Sequence, residues 1–367
     1  MCQSAKMVSH MFLKSLQLEN FRNISSLDIS FDPRKKVTVI IGENAQGKTN
    51  LLESVYFLAL TKSFKTQNFE EVIMKDREHG RIKGMINDEE EKELEIAFGL
   101  VPFKQKKYKK DKAVTDIKKY LNNLNVVLFT PEDIKIIKGE PDDKRKYLNM
   151  IAIQTYKDFL DVFLTYKKAL YNRNKALLSG GAHLEVWNEK LAEFGLQIWE
   201  KRAEIIAYFS KKINEKYQKL STSNDKIGIE YQEHPQTIEE YLLRLKESYA
   251  KDLEKGVTHL GPHRDSFKVL LNGEDMKKFS SRGELRTAVL AMKLVELELI
   301  REFTGQQPVL LLDDVFSELD HAHQEHLISA ILDHQSFITT TCREHIGLFG
   351  KDVQILTASN GVIAKEA

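Results

Sequence analysis

The stretch that decides the reading is Val37-Thr38-Val39-Ile40-Ile41-Gly42-Glu43-Asn44-Ala45-Gln46-Gly47-Lys48-Thr49-Asn50-Leu51-Leu52-Glu53. Its first five residues form an unbroken β-branched run, the pattern of a strand covered on both faces. Residues 42–49 match G-x-x-x-x-G-K-[ST] in full, and a helix rich in Leu51, Leu52, Val55, Phe57 and Leu58 follows. Strand, glycine turn and helix in that order open a nucleotide-binding α/β unit. Backbone N–H groups must curl around a β-phosphate, and side chains would obstruct that approach, so the loop ends are glycine. The helix adds its positive N-terminal end. Gly42, Glu43, Asn44, Ala45, Gln46, Gly47, Lys48, Thr49 and Asn50 are therefore the expected ATP-binding residues. Lys48 reaches the β/γ-phosphates and the Thr49 hydroxyl holds Mg²⁺.

Working outward, a phosphate loop needs a carboxylate at the end of another buried strand. Val309-Leu310-Leu311-Leu312-Asp313-Asp314 supplies it. Asp313 is expected to hold Mg²⁺ through water, and Asp314 to orient or deprotonate the attacking water. Upstream, Phe279-Ser280-Ser281-Arg282-Gly283-Glu284 runs into a helix over 284–300 that carries Leu285, Val289, Met292, Val295 and Leu299 on one face. A Ser-x-Gly turn at a helix start offers a hydroxyl and N–H donors to an anion, although a serine there is also an ordinary N-cap. In this position Ser281, Arg282, Gly283 and Glu284 resemble the signature motif of ABC-type ATPases. Arg282 stands for its first glycine and Glu284 for its glutamine. Ser317-Glu318-Leu319-Asp320 likewise resembles the D-loop of that superfamily.

The rest of the chain frames these motifs. With 367 residues it holds about two or three structural units. Hydrophobic residues make up 42% and charged residues 30%, as in a globular protein. Lys+Arg is 55 against Asp+Glu 54, so any nucleic-acid surface must come from local segregation of charge. Cys2 and Cys342 exclude a disulfide scaffold and fit a reducing compartment. No apolar run nears the roughly 20 residues that span a bilayer, and MCQSAKMVSH is no secretory signal, so a cytoplasmic protein with no membrane partner is expected.

Further strands are expected around Phe12, Leu16 and Leu18, over 80–86 and 94–99 as an antiparallel pair, and over 336–340. Residues 104–112 carry six lysines around Tyr108 and read as a solvated hairpin tip, or else as a phosphate-contacting patch. Between Pro141 and Pro235 there is no proline. There Trp187, Leu191, Phe194, Ile198, Ile205, Phe209 and Ile213 mark one face of a long amphipathic helix. Phe159, Phe163, Tyr166 and Leu170 mark an antiparallel partner, with the turn at 179–181. The two would project as an arm, and neither Trp187 nor Trp199 is given a chemical role. The fold expected is α/β, a split P-loop ATPase head of ABC type with an inserted α-helical lobe. Residues 1–10 are a disordered extension, 11–135 the first part of the head, 136–254 the helical lobe and 255–367 the second part.

The whole pattern resembles the RecF family of bacterial recombination mediators. The carrying segments are Leu18-Glu19-Asn20-Phe21-Arg22-Asn23, the phosphate loop through Glu53, Phe129-Thr130-Pro131-Glu132-Asp133, Gly139-Glu140-Pro141 with Arg145, Thr258-His259-Leu260-Gly261-Pro262-His263-Arg264-Asp265, and residues 312–320. Gly-Pro-His-Arg-Asp is the most specific of them. The resemblance implies an ATP-dependent homodimer on duplex or gapped DNA and weak DNA-stimulated ATP hydrolysis. It also implies work with RecR and RecO in loading RecA during recombinational repair, replication-gap repair and the SOS response. It implies a trans role for Ser281, Arg282, Gly283 and Glu284. The superfamily usually has Glu at Asp314, and the shorter side chain fits slow turnover. It usually has His on the strand after the D-loop, for which Thr340 is the nearest candidate here. No glutamine-loop residue is assigned, Gln67 having no diagnostic context. Two other classes compete. An SMC-like structural clamp needs far longer coiled coils, and a small-molecule kinase has no reason to carry the Ser281 turn or the D-loop.

Overall fold

A computed structural model describes residues 11–366 apart from 89, 182, 222 and 351; the extension expected at 1–10 lies outside the described residues. In chain order the first unit opens with β1 (Phe12–Phe21), β2 (Ile24–Ser30), β3 (Val37–Ile41), α1 (Lys48–Leu60), β4 (His79–Asp88), β5 (Glu90–Gly99), β6 (Gln105–Lys110), β7 (Ala113–Thr115) and β8 (Val126–Phe129). Then come α2 (Pro141–Thr155), α3 (Phe159–Leu178), α4 (Leu184–Leu220), β9 (Ile227–Tyr231), α5 (Ile238–Glu247), α6 (Tyr249–Lys255), β10 (Phe267–Leu271), β11 (Glu274–Asp275) and α7 (Arg282–Thr304). The chain closes with β12 (Val309–Asp313), α8 (His321–Ile331), β13 (Ser336–Thr340), β14 (Val353–Ser359) and β15 (Val362–Lys365). The fold is mixed α/β and falls into two compact units, one of residues 11–133 with 296–366 and the other Ile134–Val295. Among the described residues no helix is long and apolar enough to cross a membrane.

In the first unit one sheet has the order β15-β14-β3-β13-β12-β8 and the other β2-β1-β4-β5-β6-β7. β3 lies parallel between β13 and β14, and all five of its residues are buried, as its unbroken β-branched pattern requires. α1 packs against strands of both sheets, which explains why it is apolar all round rather than amphipathic. Leu51, Leu52, Val55, Phe57 and Leu58 are all fully buried, and each such side chain contributes about 1.5–3 kcal/mol of burial. That burial fixes the helix whose N-terminus faces the phosphate loop.

The lysine-rich segment 104–112 differs from the expected hairpin tip. Most of it is β6, paired with β5 on one edge and β7 on the other. Only Asp111 and Lys112 form the turn, both left-handed at φ 51 and 67, as a two-residue hairpin turn demands. Lys106 donates to the Thr61 carbonyl at 2.9 Å, Lys109 to Glu95 at 2.7 Å, and Lys104 pairs with Glu70. Tyr108 packs against Tyr120, with ring centroids 5.3 Å apart, instead of offering a face to a base.

In the second unit α3 and α4 pack together as the apolar spacing predicts, but they are not a bare hairpin. α4 also packs on β9, α5 and α2, so it is buried on several faces. Phe163, Leu170, Trp187 and Phe194, expected on the buried faces, are only partly covered. The expected boundary at 254/255 falls inside this unit because β9 pairs with β10 across it. Gly-Pro-His-Arg-Asp forms the polar knot of the same unit. Arg202 on α4, 1% exposed, donates to both oxygens of Asp265 at 2.7 Å and to the Pro262 carbonyl at 2.6 Å. Tyr231 and Arg145 complete the shell, on the Asp265 carboxylate and the Asp265 carbonyl. A buried charge pair is tolerable only when hydrogen-bonded this fully.

His263 bridges this knot to the Thr258 carbonyl through Nε2 at 2.9 Å and to the Tyr166 hydroxyl through Nδ1 at 2.6 Å. A carbonyl can only accept, so Nε2 carries the hydrogen and Nδ1 accepts from Tyr166. Burial pushes the imidazole down to about 4 from its ordinary 6.5. The unfolded chain therefore takes up this proton first, and stability should fall as pH drops from about 6.5 to about 4, by at most about 3 kcal/mol. Urea midpoints across that window should show His263→Gln losing about one proton of the wild-type slope. An unchanged slope would remove His263 from the account.

Candidate nucleotide site

The site is built at the carboxyl ends of β3, β12 and β13. Gly42 leaves β3 so close to β14 that a Cβ there would stand 2.3 Å from the Ala358 carbonyl oxygen. Gly47, the residue before α1, is left-handed at φ 110, which strains any side chain. Between them the loop is tied down at several points. The Gly47 carbonyl accepts the first helical bond from Leu51, and the Gln46 carbonyl accepts from the Gly361 N–H at 3.0 Å. Asn50 donates to Asn23 Oδ1 at 2.8 Å, which joins the loop helix to the turn between β1 and β2.

Lys48 is 8% exposed and curls back over the loop, its Nζ donating to the Gly42 and Glu43 carbonyls at 2.7 and 2.8 Å. Burial lowers its pKa, while Asp314, Asp313 and Glu43 pull it back up. The Thr49 hydroxyl donates to Asp313 Oδ1 at 2.8 Å, and the Thr339 hydroxyl donates to the same oxygen at 2.8 Å. Thr339 Oγ1 in turn accepts the Asp314 N–H at 2.9 Å. Asp314 is left-handed at φ 52, a conformation that few residues other than glycine, asparagine and aspartate adopt. This turn puts both carboxylates on one cavity of about 390 Å³, lined by Asn44, Ala45, Lys48, Thr49, Lys65 and Thr339 among others. Two hard oxygens converging at hydrogen-bond distance, beside a lysine, form a donor set that suits Mg²⁺ and a polyphosphate.

Thr340, the expected stand-in for a strand histidine, is directed elsewhere. Its hydroxyl accepts the Cys342 N–H at 3.0 Å and meets His345 Nδ1 at 2.9 Å. Thr339 is the threonine on the acidic pair because it lies opposite Asp313 in the β12–β13 register. Gln67 is exposed and is not among the described residues lining the cavity. The D-loop is joined to Asp314 through Ser317, whose hydroxyl donates to the Asp314 carbonyl at 2.7 Å. Asp320 caps α8, accepting from the His323 N–H at 3.0 Å, and that bond with the His323 ring holds its carboxyl below its ordinary value. Leu319 presents its carbonyl to Gln324 at 3.1 Å, and the side chain of Glu318 lies outside the described residues.

Ser281 and Glu284 form a reciprocal cap at the start of α7. The Ser281 N–H donates to Glu284 Oε2 at 2.7 Å, and the Glu284 N–H donates to Ser281 Oγ at 3.3 Å. Arg282 and Gly283 are exposed, and a Cβ on Gly283 would meet nothing within 4 Å. Among the described residues, then, the serine has a local use, while the glycine meets no neighbour that a side chain would crowd.

The sequence matches the family described as RecF/RecN/SMC N terminal domain over residues 12–363. It is 36% identical to the DNA replication and repair protein RecF of Lysinibacillus sphaericus (strain C3-41), covering 92% of this chain and 94% of that one. Among solved structures it is similar to the recombination mediator protein RecF with ATP in the RecFOR pathway, at TM-score 0.89 and 33% identity, with 100% of both chains covered. The Smc head domain from Pyrococcus furiosus shares the fold at TM-score 0.55 and 17% identity, covering 97% of this chain and 96% of that one.

Proposed function

This chain belongs to the RecF family, and from that premise we propose that it is an ATP-switched DNA-binding protein of recombinational and replication-gap repair. The observation that carries the reading is the hydrogen-bonded line Thr49–Asp313–Thr339–Asp314, which ends on Ser317 of the D-loop. It connects the phosphate loop to the turn that presents Asp314. A change at the γ-phosphate end is therefore felt at the hydrolytic carboxylate and at the loop after it.

In this reading the phosphate-loop N–H groups and Lys48 bind the polyphosphate, Lys48 exchanging carbonyl partners for phosphate oxygens. Thr49 and Asp313 would hold Mg²⁺, which would supply positive charge against the polyphosphate. Asp314 accepts the proton of the attacking water. Its short side chain stands back from that water, which fits slow, DNA-stimulated turnover. Gly283 is exposed, and a Cβ there would meet nothing within 4 Å among the described residues, which leaves the turn of Ser281, Arg282, Gly283 and Glu284 open to the nucleotide of a second subunit in the proposed homodimer. DNA, RecR and RecO are the proposed partners, RecA loading the proposed outcome, and the cytoplasm the proposed place.

Sedimentation with ATP, ADP or no nucleotide, alone and with duplex or gapped DNA, tests this. ATP alone should produce the dimer, and DNA affinity should require ATP and fall linearly in log–log form with salt. Equal binding without nucleotide, or a flat salt response, would overturn the reading.

A further inference from the structure

β14 and β15 are joined by a two-residue turn, Asn360-Gly361, with Ser359 paired to Val362 across it. Both turn residues are left-handed, at φ 49 and 78, as an Asn-Gly hairpin turn requires. The N–H groups of such a pair point out of the hairpin and have no partner within it. Here both reach one residue of the phosphate loop. The Gly361 N–H donates to the Gln46 carbonyl at 3.0 Å, and the Asn360 N–H donates to Gln46 Oε1. A trans peptide holds its C=O and N–H on opposite sides, so the bond to the Gln46 carbonyl directs the Gly47 N–H away from the hairpin. Gly47 lines the same cavity as Lys48, Thr49, Asp313 and Asp314. The tip fits closely, since a Cβ on Gly361 would stand 2.0 Å from the Asn23 carbonyl oxygen. Asn23 is itself clasped: its Oδ1 accepts from Asn50 Nδ2 at 2.8 Å and lies 3.0 Å from where a Gly47 Cβ would stand. The β10–β11 turn, Asn272-Gly273, has the same left-handed pair at φ 53 and 87 and the same register, yet a Cβ on Gly273 would meet nothing within 4 Å. The close fit of Gly361 therefore comes from its place against the phosphate loop and the Asn23 turn, not from the turn type.

We propose that the Asn360-Gly361 turn is a positioning element of the nucleotide site, fixing the Gln46–Gly47 peptide so that the Gly47 N–H is presented to a phosphate oxygen. Gln46 is the link, and the Asn23 turn is the stop against which Gly361 rests. Donors held in place beforehand bind an anion more tightly, because the loop need not be ordered on binding. The proposal rests on reading the cavity as the ATP pocket.

Calorimetric titration of Mg²⁺-ATP and of Mg²⁺-ADP into the full chain tests it, beside hydrogen exchange of the phosphate-loop amides without ligand. Asn tolerates the left-handed region, so Gly361→Asn isolates the contact of a Cβ with Asn23. It should weaken ATP and ADP binding alike, by about 10–100-fold, the loss of one charge-assisted bond to phosphate. Exchange over residues 42–50 should rise in the ligand-free variant. Gly273→Asn, the same change in the same kind of turn, should leave both readouts at wild type. Gln46→Ala removes only the side-chain acceptor of the Asn360 N–H. It should bind ATP about 2–10-fold more weakly, again with faster loop exchange, and it carries the test if Gly361→Asn fails to fold. Wild-type ATP affinity in the folded variants would overturn the proposal. So would a loss of affinity with loop exchange unchanged, or a loss that Gly273→Asn shares. Wild-type binding by Lys48→Met would instead remove the ATP reading of the cavity, so the two failures are distinguishable.

Discussion

Asp314→Asn should bind ATP as wild type does and hydrolyse it ~10²–10⁴-fold more slowly, the range of a lost general base. Asn accepts and donates hydrogen bonds and can still position a water, but it cannot take the proton. The substitution is also gentle on the backbone. Asp314 is left-handed at φ 52, and Asn tolerates that region as well as Asp does. The N–H to Thr339 and the carbonyl to Ser317 are main-chain groups and survive the change. Binding and chemistry should therefore separate cleanly in single-turnover kinetics with titrated ATP. The variant should accumulate as an ATP-bound dimer with prolonged residence on DNA. Turnover within a few-fold of wild type would move the base to another residue.

The second large effect is a recovery on mixing. Lys48→Met removes the ammonium now held by the Gly42 and Glu43 carbonyls and should abolish ATP binding without unfolding the chain. Ser281→Arg keeps the phosphate loop intact but places a bulky cation at the exposed start of α7, where Ser281 and Glu284 cap each other. Alone it should bind ATP nearly normally, yet neither dimerise nor hydrolyse. A mixed dimer restores one composite site, from Lys48 of the Ser281→Arg chain and Ser281 of the Lys48→Met chain. ATPase or dimer should reappear on mixing the two inactive proteins, read by sedimentation and phosphate release across mixing ratios. No recovery at any ratio would favour a cis arrangement. Loss of ATP binding by the Ser281→Arg monomer would likewise place the residue in its own subunit's pocket.

The nucleotide site divides into parts that the sequence could and could not show. Residues 37–53 declare themselves because strand, loop and helix are consecutive, and each is read from local periodicity and two glycines. The acidic end of β12 is legible for the same reason, as a short buried run stopped by two aspartates. The meeting of Gln46, Gly361 and Asn23 was not legible. Its members come from a loop and two turns, and no spacing rule links them.

Local chemistry in the sequence by itself determined the α/β class, the phosphate loop, the acidic strand and the helix pair of the second unit. Each of these is a run whose period or composition has one physical solution. Tertiary structure alone decided which of the threonines 339, 340 and 341 serves the acidic pair, because neighbouring residues of a strand point to opposite faces and only the pairing of Asp313 with Thr339 chooses between them. It also decided that β9 and β10 close a sheet across the expected boundary, and that Gly-Pro-His-Arg-Asp knots the second unit around Arg202. Such outcomes depend on which distant segments bury each other's polar groups, and a buried charge finds its partner through the fold rather than along the chain.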